Sequence, residues 1–248
     1  MNLRGSGRTL VIVPAWNEAA GLHAVTTELL RDAGGCDILV VDDGSDQPAA
    51  DFTAPGVRVL RLPFNLGIGN AMQAGYRYAA DHGYAVAVQV DGDGQHPAAA
   101  VPTLVAALAD SGAAMAIGSR FAAPGLYRQS AARSVGALIL RVLLRILTGR
   151  RYSDCTSGFR AVTRPLIQAF AHWYPDDFPE PEVLLHVHRA GLGVVEVPVR
   201  MRQRASGRSS ITPGRGVLYV AKVSLALLLG VIRRPWPAEL FRSTVEFP

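Results

Sequence analysis

The sequence predicts an α/β fold in which helices cover both faces of a mostly parallel sheet. Short apolar runs alternate with amphipathic segments of helical period along the first half of the chain. The apolar runs are continuous, as expected for strands of a parallel sheet that is buried between two helical layers. The chain has 248 residues and is 49% hydrophobic, so it is long enough to bury a large core without disulfides.

Five strands and three helices are predicted over the first 120 residues. Residues 9–15, TLVIVPA, form the first strand, and residues 17–34 follow as an amphipathic helix that stops at a glycine. The last helix of this half begins with a proline, which is favoured at the first helical position. The other predicted elements are strands at 37–43, 57–63, 84–91 and 113–120 and helices at 67–83 and 97–112.

The second half of the sequence changes in character. Residues 133–151 are predicted to form a helix with Leu, Ile and Val over most of its surface. Residues 153–164 are predicted to be a polar loop, followed by a helix at 180–191 and a strand at 192–201. The apolar segment 217–232 is predicted to be a C-terminal helix that either packs on the sheet or lies on a membrane surface. It is shorter than the roughly 20 residues of a membrane-spanning helix.

Charge and composition narrow the range of partners. The formal net charge is +5, and Lys222 is the only lysine, so arginine carries nearly all of the positive charge. Arginine pairs well with phosphate oxygens, and aromatic residues are not interleaved with the basic ones. These features favour phosphate-bearing small molecules or an anionic membrane surface over nucleic acid. The short apolar run near the amino terminus predicts no signal peptide, and we expect a cytoplasmic protein.

Polar motifs follow all five strands predicted in the first half. One such motif is explained by ordinary turn chemistry, but five at one edge of a sheet are not. Ligands bind at the carboxyl ends of the strands in open parallel sheets, so the motifs predict a binding site. They are PAWNE at 14–18, DDGS at 42–45, FNLGIG at 64–69, DGDGQH at 91–96 and GSR at 118–120.

The motif after the fourth strand is a candidate metal site. Asp91 and Asp93 are spaced to present carboxylate oxygens to one hard cation, Mg²⁺ or Mn²⁺. Gly92 and Gly94 allow the backbone to come close to a ligand. A magnesium ion held by one or two carboxylates usually shares phosphate oxygens with its substrate, so the pair predicts a bound diphosphate. His96 is either a further ligand or a residue that precedes a helix.

Six segments of the sequence together resemble one known family. VIVPAWNE, ILVVDDGS, NLGIGNAMQAGY, VQVDGDGQHP, AIGSRF and SDCTSGFRAV are similar to the inverting family 2 glycosyltransferases with the GT-A fold. Within that family the chain resembles the polyprenyl-phosphate sugar synthases of the dolichol-phosphate mannose synthase type. We therefore expect a GT-A domain at residues 1–215 and an apolar helix and tail at 216–248, at or near a membrane surface.

The resemblance implies roles for individual residues. Asp91 and Asp93 would contact the ribose and, through a metal, the diphosphate of a nucleotide sugar. Gln95 would lie beside the sugar, and Arg120 would face the donor or acceptor phosphate. The residues predicted to bind the nucleotide sugar are Pro14, Ala15, Glu18, Asp42, Asp43, Asn65, Gly67, Asp91, Gly92, Asp93, Arg204 and Ser209.

Asp154 and Glu182 are the candidate general bases. A hydroxyl acceptor needs a base, whereas a lipid phosphate is already ionised and needs none. Each residue also has a structural alternative, a loop cap for Asp154 and a helix N-terminal acid for Glu182. The predicted catalytic residues are therefore Asp154, Glu182, Arg120 and Gln95.

The resemblance implies an inverting transfer of a hexose or N-acetylhexosamine from a nucleoside diphosphate to polyprenyl phosphate. The enzyme would need Mg²⁺ or Mn²⁺ and would be peripheral on the inner face of the membrane. The alternative is the same donor chemistry with a soluble glycan or natural product as acceptor. The lack of a predicted membrane span favours that alternative, while the two apolar, arginine-flanked helices favour the lipid. No feature of the sequence predicts an oligomeric state.

Overall fold

A seven-stranded sheet lies at the centre of the described part of the chain. The computed structural model describes residues 7–123, 131–177, 179–202, 213–233, 236–237 and 241. The strands are β1 (Thr9–Ala15), β2 (Asp37–Asp42), β3 (Arg58–Arg61), β4 (Val86–Gln89), β5 (Met115–Ser119), β6 (Arg160–Thr163) and β7 (Val194–Pro198).

The sheet is mostly parallel, as predicted. Its strand order is β3-β2-β1-β4-β6-β5-β7, and every pair is parallel except those made by β6. Because β6 runs antiparallel to β4 and β5, its first residue lies at the carboxyl end of β4, where Arg160 pairs with Gln89. The carboxyl ends of the parallel strands and the start of β6 therefore meet at one edge.

Helices cover both faces of the sheet. Leu10 and Ile12 of β1 belong to one apolar cluster and Val11 and Val13 to another, since alternate side chains of a strand point to opposite faces. Helices α1 and α3 pack on the second cluster and the other five helices on the first. The helices are α1 (Ala19–Asp32), α2 (Ile68–Asp81), α3 (Val101–Ser111), α4 (Ala131–Thr148), α5 (Arg164–His172), α6 (Pro179–Arg189) and α7 (Pro213–Ile232).

One predicted feature of the second half is wrong, and one helix was missed. The polar loop expected at 153–164 ends in β6, whose four residues are all buried in the middle of the sheet. Helix α5 follows directly and was not predicted. Its apolar residues Leu166, Ile167 and Phe170 pack on the same face of the sheet as α2.

Helix α7 packs on α4 and α6. Val223 and Leu227 are buried in the core, and a Cβ atom on Gly136 of α4 would lie 2.9 Å from Val220 of α7. The boundary expected between residues 215 and 216 falls within α7. No helix in the described residues is both long enough and apolar enough to cross a membrane.

Candidate active site

The loops that follow β1 and β2 are joined by hydrogen bonds. The Asn17 N–H donates to the Ser45 hydroxyl at 3.0 Å, and the Asn17 amide both donates to the Asp46 carboxylate and accepts the Asp46 N–H. Asn17 has a φ of 53°, in the left-handed region that asparagine adopts more readily than most residues. The two loops therefore form one connected edge at the carboxyl end of the sheet.

Asp42 supports this edge from inside the protein. It is fully buried, and its two oxygens accept the N–H groups of Ser45 at 2.9 Å and Ala49 at 3.0 Å. Burial opposes ionisation, but these hydrogen bonds and the charge of Arg61 outweigh it and hold the pKa of Asp42 below its ordinary value. Its carboxylate therefore stabilises the loop and does not itself face a ligand.

Asp43 joins the edge to the start of α2. Its two oxygens accept the Leu66 N–H at 2.8 Å and the Gly67 N–H at 2.9 Å. The Gly69 N–H donates to the Asp176 carbonyl at 3.1 Å. Protein acceptors thus already bind the N–H groups at the start of α2, and this helix start forms a wall of the site and not a phosphate cradle.

Glu18 and Gly92 lie against each other below the edge. A Cβ atom on Gly92 would collide with the Glu18 carboxylate and would lie 3.5 Å from the Pro14 carbonyl oxygen. The φ of Gly92 is not positive, so the absence of a side chain here serves to make room for Glu18. Ala15 and Glu18 also line a cavity of about 360 Å³ between the β1 and β2 loops. Asn65 is exposed at the rim.

Asp91 and Asp93 follow β4 in surroundings that differ. The Asp91 side chain is 38% exposed, and its Oδ1 lies 3.4 Å from Nε2 of the buried Gln89. Asp93 is buried, and its Oδ1 accepts the Gln95 N–H at 3.0 Å. Gly94, with a φ of 76°, makes the turn between them. One carboxylate is therefore open to solvent and the other is held by the turn.

This pair of carboxylates fits a hard cation that is shared with a ligand. Mg²⁺ and Mn²⁺ prefer carboxylate oxygens. In the described residues no three His, Cys, Asp or Glu side chains come together as a metal cage. One or two carboxylates with phosphate oxygens are the usual ligands of a protein-bound Mg²⁺. Asp91 and Asp93 are therefore the residues that would hold a metal.

Arg120 and Asp154 form a two-bonded ion pair at the carboxyl end of β5. Arg120 Nε and Nη2 each lie 2.7 Å from an Asp154 oxygen, and the Arg120 N–H donates to the same carboxylate at 3.0 Å. Burial raises the pKa of Asp154, but the bonds from Arg120 outweigh it, so the pKa is lowered. A carboxylate held in this way accepts a proton poorly. The geometry favours the loop-cap alternative for Asp154 over the role of base.

Gln95 is fixed by the residues that follow β7. Its carbonyl accepts the Arg202 N–H at 2.9 Å, and its amide donates to the Arg202 carbonyl at 3.3 Å. Arg202 makes a two-bonded ion pair with Glu28 of α1 at 2.6 and 2.9 Å. This network ties the turn of Asp93 to α1 and β7. Arg204 and Ser209, the next predicted site residues, lie outside the described residues.

Comparison with known families decides where the chain belongs. Residues 10–170 match the family model described as glycosyl transferase family 2, which is more than half of the chain. The chain belongs to glycosyl transferase family 2. It is therefore a glycosyltransferase, in agreement with the resemblance seen in its motifs.

Several relatives of this glycosyltransferase have names that refer to lipid phosphates. The undecaprenyl-phosphate mannosyltransferase of Micrococcus luteus is 31% identical over 88% of this chain and 95% of its own length. The polyprenol monophosphomannose synthase of Mycolicibacterium smegmatis is 31% identical over 85% of this chain and 83% of its own. The dolichyl-phosphate hexose transferase of Haloferax volcanii is 26% identical over 86% of this chain and 90% of its own.

Solved structures show the same architecture. Glucosyl-3-phosphoglycerate synthase from Mycobacterium tuberculosis, in complex with Mn²⁺, UDP-glucose and phosphoglyceric acid, superposes with a TM-score of 0.68. It is 23% identical, and the match covers 92% of this chain and 79% of that one. At this level of identity the likeness shows the fold, which is GT-A-like.

In this glycosyltransferase Glu182 faces α7. Its Oε1 lies 3.3 Å from Arg233 Nη1 and 3.7 Å from His186 Nε2. The ring of His186 in turn contacts Trp173 and Trp236. Glu182 therefore belongs to a cluster of charged and aromatic side chains on the side of α6 that packs on α7.

Glu180 is the acidic residue that sequence reasoning missed. It precedes Glu182 by two positions, roughly 200° around the helix, and so points to the opposite side of α6. Burial raises its pKa, the charge of Arg160 lowers it, and the charge of Asp91 raises it again, with a raised pKa as the net result. The sequence did carry a signal, since the two acids of the EPE segment cannot both face the same side.

Proposed function

We propose that this enzyme transfers a sugar, with inversion, from a nucleoside diphosphate to polyprenyl phosphate at a membrane surface. The observation that carries the proposal is an apolar, solvent-exposed surface on α4 and α7, called here the α4–α7 face. The two helices pack together, and both reach the site. Arg141 of α4 donates to the Ser153 carbonyl, next to Asp154, at 3.5 Å. Burial and the charge of Glu180 raise the pKa of Tyr219 of α7.

The α4–α7 face is large and branched-aliphatic in composition. Ile146 is 73% exposed and Ile232 is 79% exposed, and a large exposed apolar surface of this kind marks a site of interaction with a membrane or another partner. The exposed side chains of Arg145 on α4 and Lys222 on α7 lie on the same helices, as in helices that rest on anionic lipid. The large exposed side chains of this face are Val135, Leu138, Ile139, Val142, Ile146, Val217, Leu218, Leu225, Leu228, Leu229, Val231 and Ile232.

The names of the relatives support the lipid acceptor. Enzymes about 31% identical to this chain over more than four fifths of its length are named for undecaprenyl phosphate and polyprenol monophosphomannose. A soluble acceptor leaves the α4–α7 face without a role. The proposed location is therefore peripheral, on the cytoplasmic face of a membrane, with residues 1–215 as the catalytic domain and residues 216–248 contacting the membrane together with α4.

The chain's own residues have separable roles in the proposed reaction. Asp91 and Asp93 would hold a divalent cation, Mg²⁺ or Mn²⁺, for the diphosphate of the donor. When bound, that cation neutralises charge on the leaving diphosphate. Glu18 and Asp43 would form the wall beside the nucleoside, and Gln95, which is held by its bonds to Arg202, would lie beside the sugar.

The acceptor phosphate attacks the anomeric carbon from the face opposite the diphosphate, which inverts the configuration. An ionised phosphate needs no proton acceptor, so the lowered pKa of Asp154 is compatible with turnover. Asp154 instead orients Arg120, whose guanidinium supplies positive charge at the carboxyl end of β5. Arg204 and Ser209 complete the proposed donor site.

Release of nucleoside diphosphate tests the proposal. The purified protein would be incubated with Mn²⁺ and a panel of nucleotide sugars, with and without a short polyprenyl phosphate. We expect release that requires both the lipid phosphate and one particular donor. Asp93→Asn should abolish release, whereas Asp110→Asn, an exposed acid on α3, should leave it unchanged.

A different outcome would identify a different acceptor. Donor binding that is lost in Asp93→Asn, together with release that ignores polyprenyl phosphate, would contradict the lipid acceptor and retain the donor site. Replacement of the lipid by a water-soluble phosphate monoester separates these cases. Equal stimulation by both would assign the phosphate, and not the lipid, as what the enzyme recognises.

A further inference from the structure

His96 is a buried residue that contacts Asp91. It is 7% exposed, and its ring stacks on Phe159 with centroids 4.9 Å apart and planes 15° apart. Its Nδ1 lies 3.0 Å from the backbone nitrogen of Asp91, and its Nε2 lies 3.6 Å from Asp91 Oδ2. One imidazole therefore touches both the backbone and the side chain of the same aspartate.

The hydrogen bond assigns the state of the ring. A backbone N–H can only donate, so Nδ1 of His96 accepts and carries no proton. In the neutral ring the proton is then on Nε2, on the side of the Asp91 carboxylate. At 3.6 Å from Asp91 Oδ2, Nε2 is too distant for a hydrogen bond, so the bond from the Asp91 N–H to Nδ1 is the one that joins the two residues. The ring cannot offer Nδ1 to a metal, because that lone pair is already used.

Gly158 and Gln89 are the other neighbours of the Asp91 carboxylate. A Cβ atom on Gly158 would lie 3.1 and 3.2 Å from the two Asp91 oxygens, a tight fit that glycine avoids. Gln89 Nε2 approaches Oδ1 from the sheet at 3.4 Å. The Asp91 carboxylate is therefore bounded by Gln89, Gly158 and His96, with its exposed side left for a ligand.

We propose that His96 is a positioning residue for the carboxylate of Asp91. Its Nδ1 holds the Asp91 peptide at the end of β4 and thereby fixes where the carboxylate leaves the backbone, while Phe159 holds the ring. The inference rests on the proposed role of Asp91 in cation and diphosphate binding. Outer partners of this kind are worth about 10- to 100-fold in metal affinity when they are lost.

Three substitutions separate the two nitrogen atoms from the packing of the ring. In His96→Asn the amide oxygen can take the place of Nδ1, and in His96→Gln the amide reaches the place of Nε2. In His96→Phe the ring and its stacking remain but both nitrogens are lost. Thermal unfolding of each variant shows that it folds, and Asp91→Asn is the reference for loss of the carboxylate itself.

Two readouts that do not depend on sugar transfer follow the effect. The first is the hydrogen-exchange rate of the Asp91 amide by NMR, with no metal present. The second is the affinity for Mn²⁺, with and without UDP or GDP, from the free Mn²⁺ signal in electron paramagnetic resonance. We expect His96→Phe and His96→Gln to speed exchange and weaken Mn²⁺ about 10- to 100-fold, with His96→Asn close to wild type.

Other outcomes overturn the proposal. A His96→Gln variant that binds like wild type while His96→Asn does not would make Nε2 the important atom, as for a direct ligand. Equal loss in all three variants would show that only packing matters, and no loss in any would show no role. Wild-type protein that binds no Mn²⁺ would overturn the inference too. If the enzyme transferred sugar to a different acceptor while the His96 variants changed Mn²⁺ affinity as expected, only the proposed acceptor would be contradicted. The inference about His96 would stand.

Discussion

Glu18 and Gly92 meet at a point where a single added methyl group has no room. The contact joins the first polar loop to the turn of Asp91 and Asp93. Gly92→Ala should therefore displace the Glu18 carboxylate, and because this is the end of a flexible side chain, the free energy of unfolding should fall by only about 1 kcal/mol, the lower end of the range for overpacking. It should also weaken nucleoside diphosphate binding, because both neighbours of the methyl group belong to the proposed donor site. Urea denaturation and calorimetric titration with UDP and GDP measure the two effects.

Gly193 provides the matched control for Gly92. Its φ is also outside the left-handed region, and an added Cβ atom would have its nearest neighbour at an ordinary 3.4 Å. Gly193→Ala should stay within about 0.5 kcal/mol of wild type. Equal effects of the two substitutions would contradict a specific contact between Gly92 and Glu18.

The ion pair of Asp154 and Arg120 predicts a pH dependence of stability. The folded-state pKa of Asp154 is lowered, so the pair stabilises the protein above the ordinary aspartate pKa of about 3.9, and this contribution is lost as pH falls through the folded-state value. At pH 7 Asp154→Asn should lower the free energy of unfolding by about 3 kcal/mol, because it breaks a two-bonded ion pair whose carboxylate is buried. The difference from wild type should shrink below about pH 4.

Urea denaturation at a series of pH values from 7 to 3 checks the expected trend. Asp110→Asn serves as the comparison, since Asp110 is exposed on α3 and makes no ion pair among the described residues. Its difference from wild type should be small at every pH. A difference for Asp154→Asn that stays constant down to pH 3 would show that the carboxylate contributes by shape and not by charge.

Individual residues of the site were predictable as chemistry but not as contacts. The sequence placed Asp91 and Asp93 at the end of a strand, because apolar runs and polar ends can be read locally. It did not reveal that Gly92 makes room for the Glu18 carboxylate, or that His96 accepts the Asp91 N–H. Those contacts depend on how close two separate segments approach, which no local pattern encodes.

At the scale of elements, the first half was predictable and the centre of the second half was not. The run TLVIVPA matches β1 in both bounds because it is long and apolar. β6 has only four residues and begins with Arg160, whose side chain is buried by its neighbours and bonds the Ser157 carbonyl at 2.8 Å. A charged first residue makes so short a strand difficult to recognise in the sequence. α5 did carry a usable signal, a proline at its start followed by apolar residues at helical spacing.

Substitution of the two acids at the start of α6 should have different effects on activity and stability. Glu180 points to the side where the charges of Asp91 and Arg160 act on it, and Glu182 points to the cluster with His186 and Arg233. Glu180→Gln should therefore reduce kcat for sugar transfer by about tenfold or more, which corresponds to 1.4 kcal/mol. Glu182→Gln should lower the thermal midpoint with little change in kcat. The pair share residue type, helix and size, so each is the control of the other.

Steady-state kinetics and thermal unfolding of both variants decide between the two sides of α6. A larger loss of kcat in Glu182→Gln than in Glu180→Gln would restore the predicted base and contradict the assignment from helix geometry. A loss in both would place the whole start of α6 in the site.

At the scale of the whole molecule, the site and the α4–α7 face are connected. Arg120 and Asp154 lie at the carboxyl end of β5, and α4 follows β5 in the chain and contacts the loop of Asp154 through Arg141. A lipid phosphate that reaches Arg120 while its chain stays in the bilayer therefore requires the membrane to lie along α4 and α7. The polar edge of β1 and β2 would then remain open to a water-soluble donor.

The introduction of negative charge on this surface tests that orientation. The double substitution Leu138→Glu and Ile146→Glu places two carboxylates on the exposed side of α4, where they remove apolar area and repel anionic lipid. Binding to vesicles of phosphatidylglycerol, followed by cosedimentation, should weaken about tenfold or more. The thermal midpoint should hold, because both side chains are already exposed. Leu30→Glu, an exposed leucine on α1 across the sheet, should bind vesicles like wild type. If Leu30→Glu weakened binding as much as the double variant, the membrane would contact the α1 side, and the acceptor would have to approach from the opposite face of the sheet.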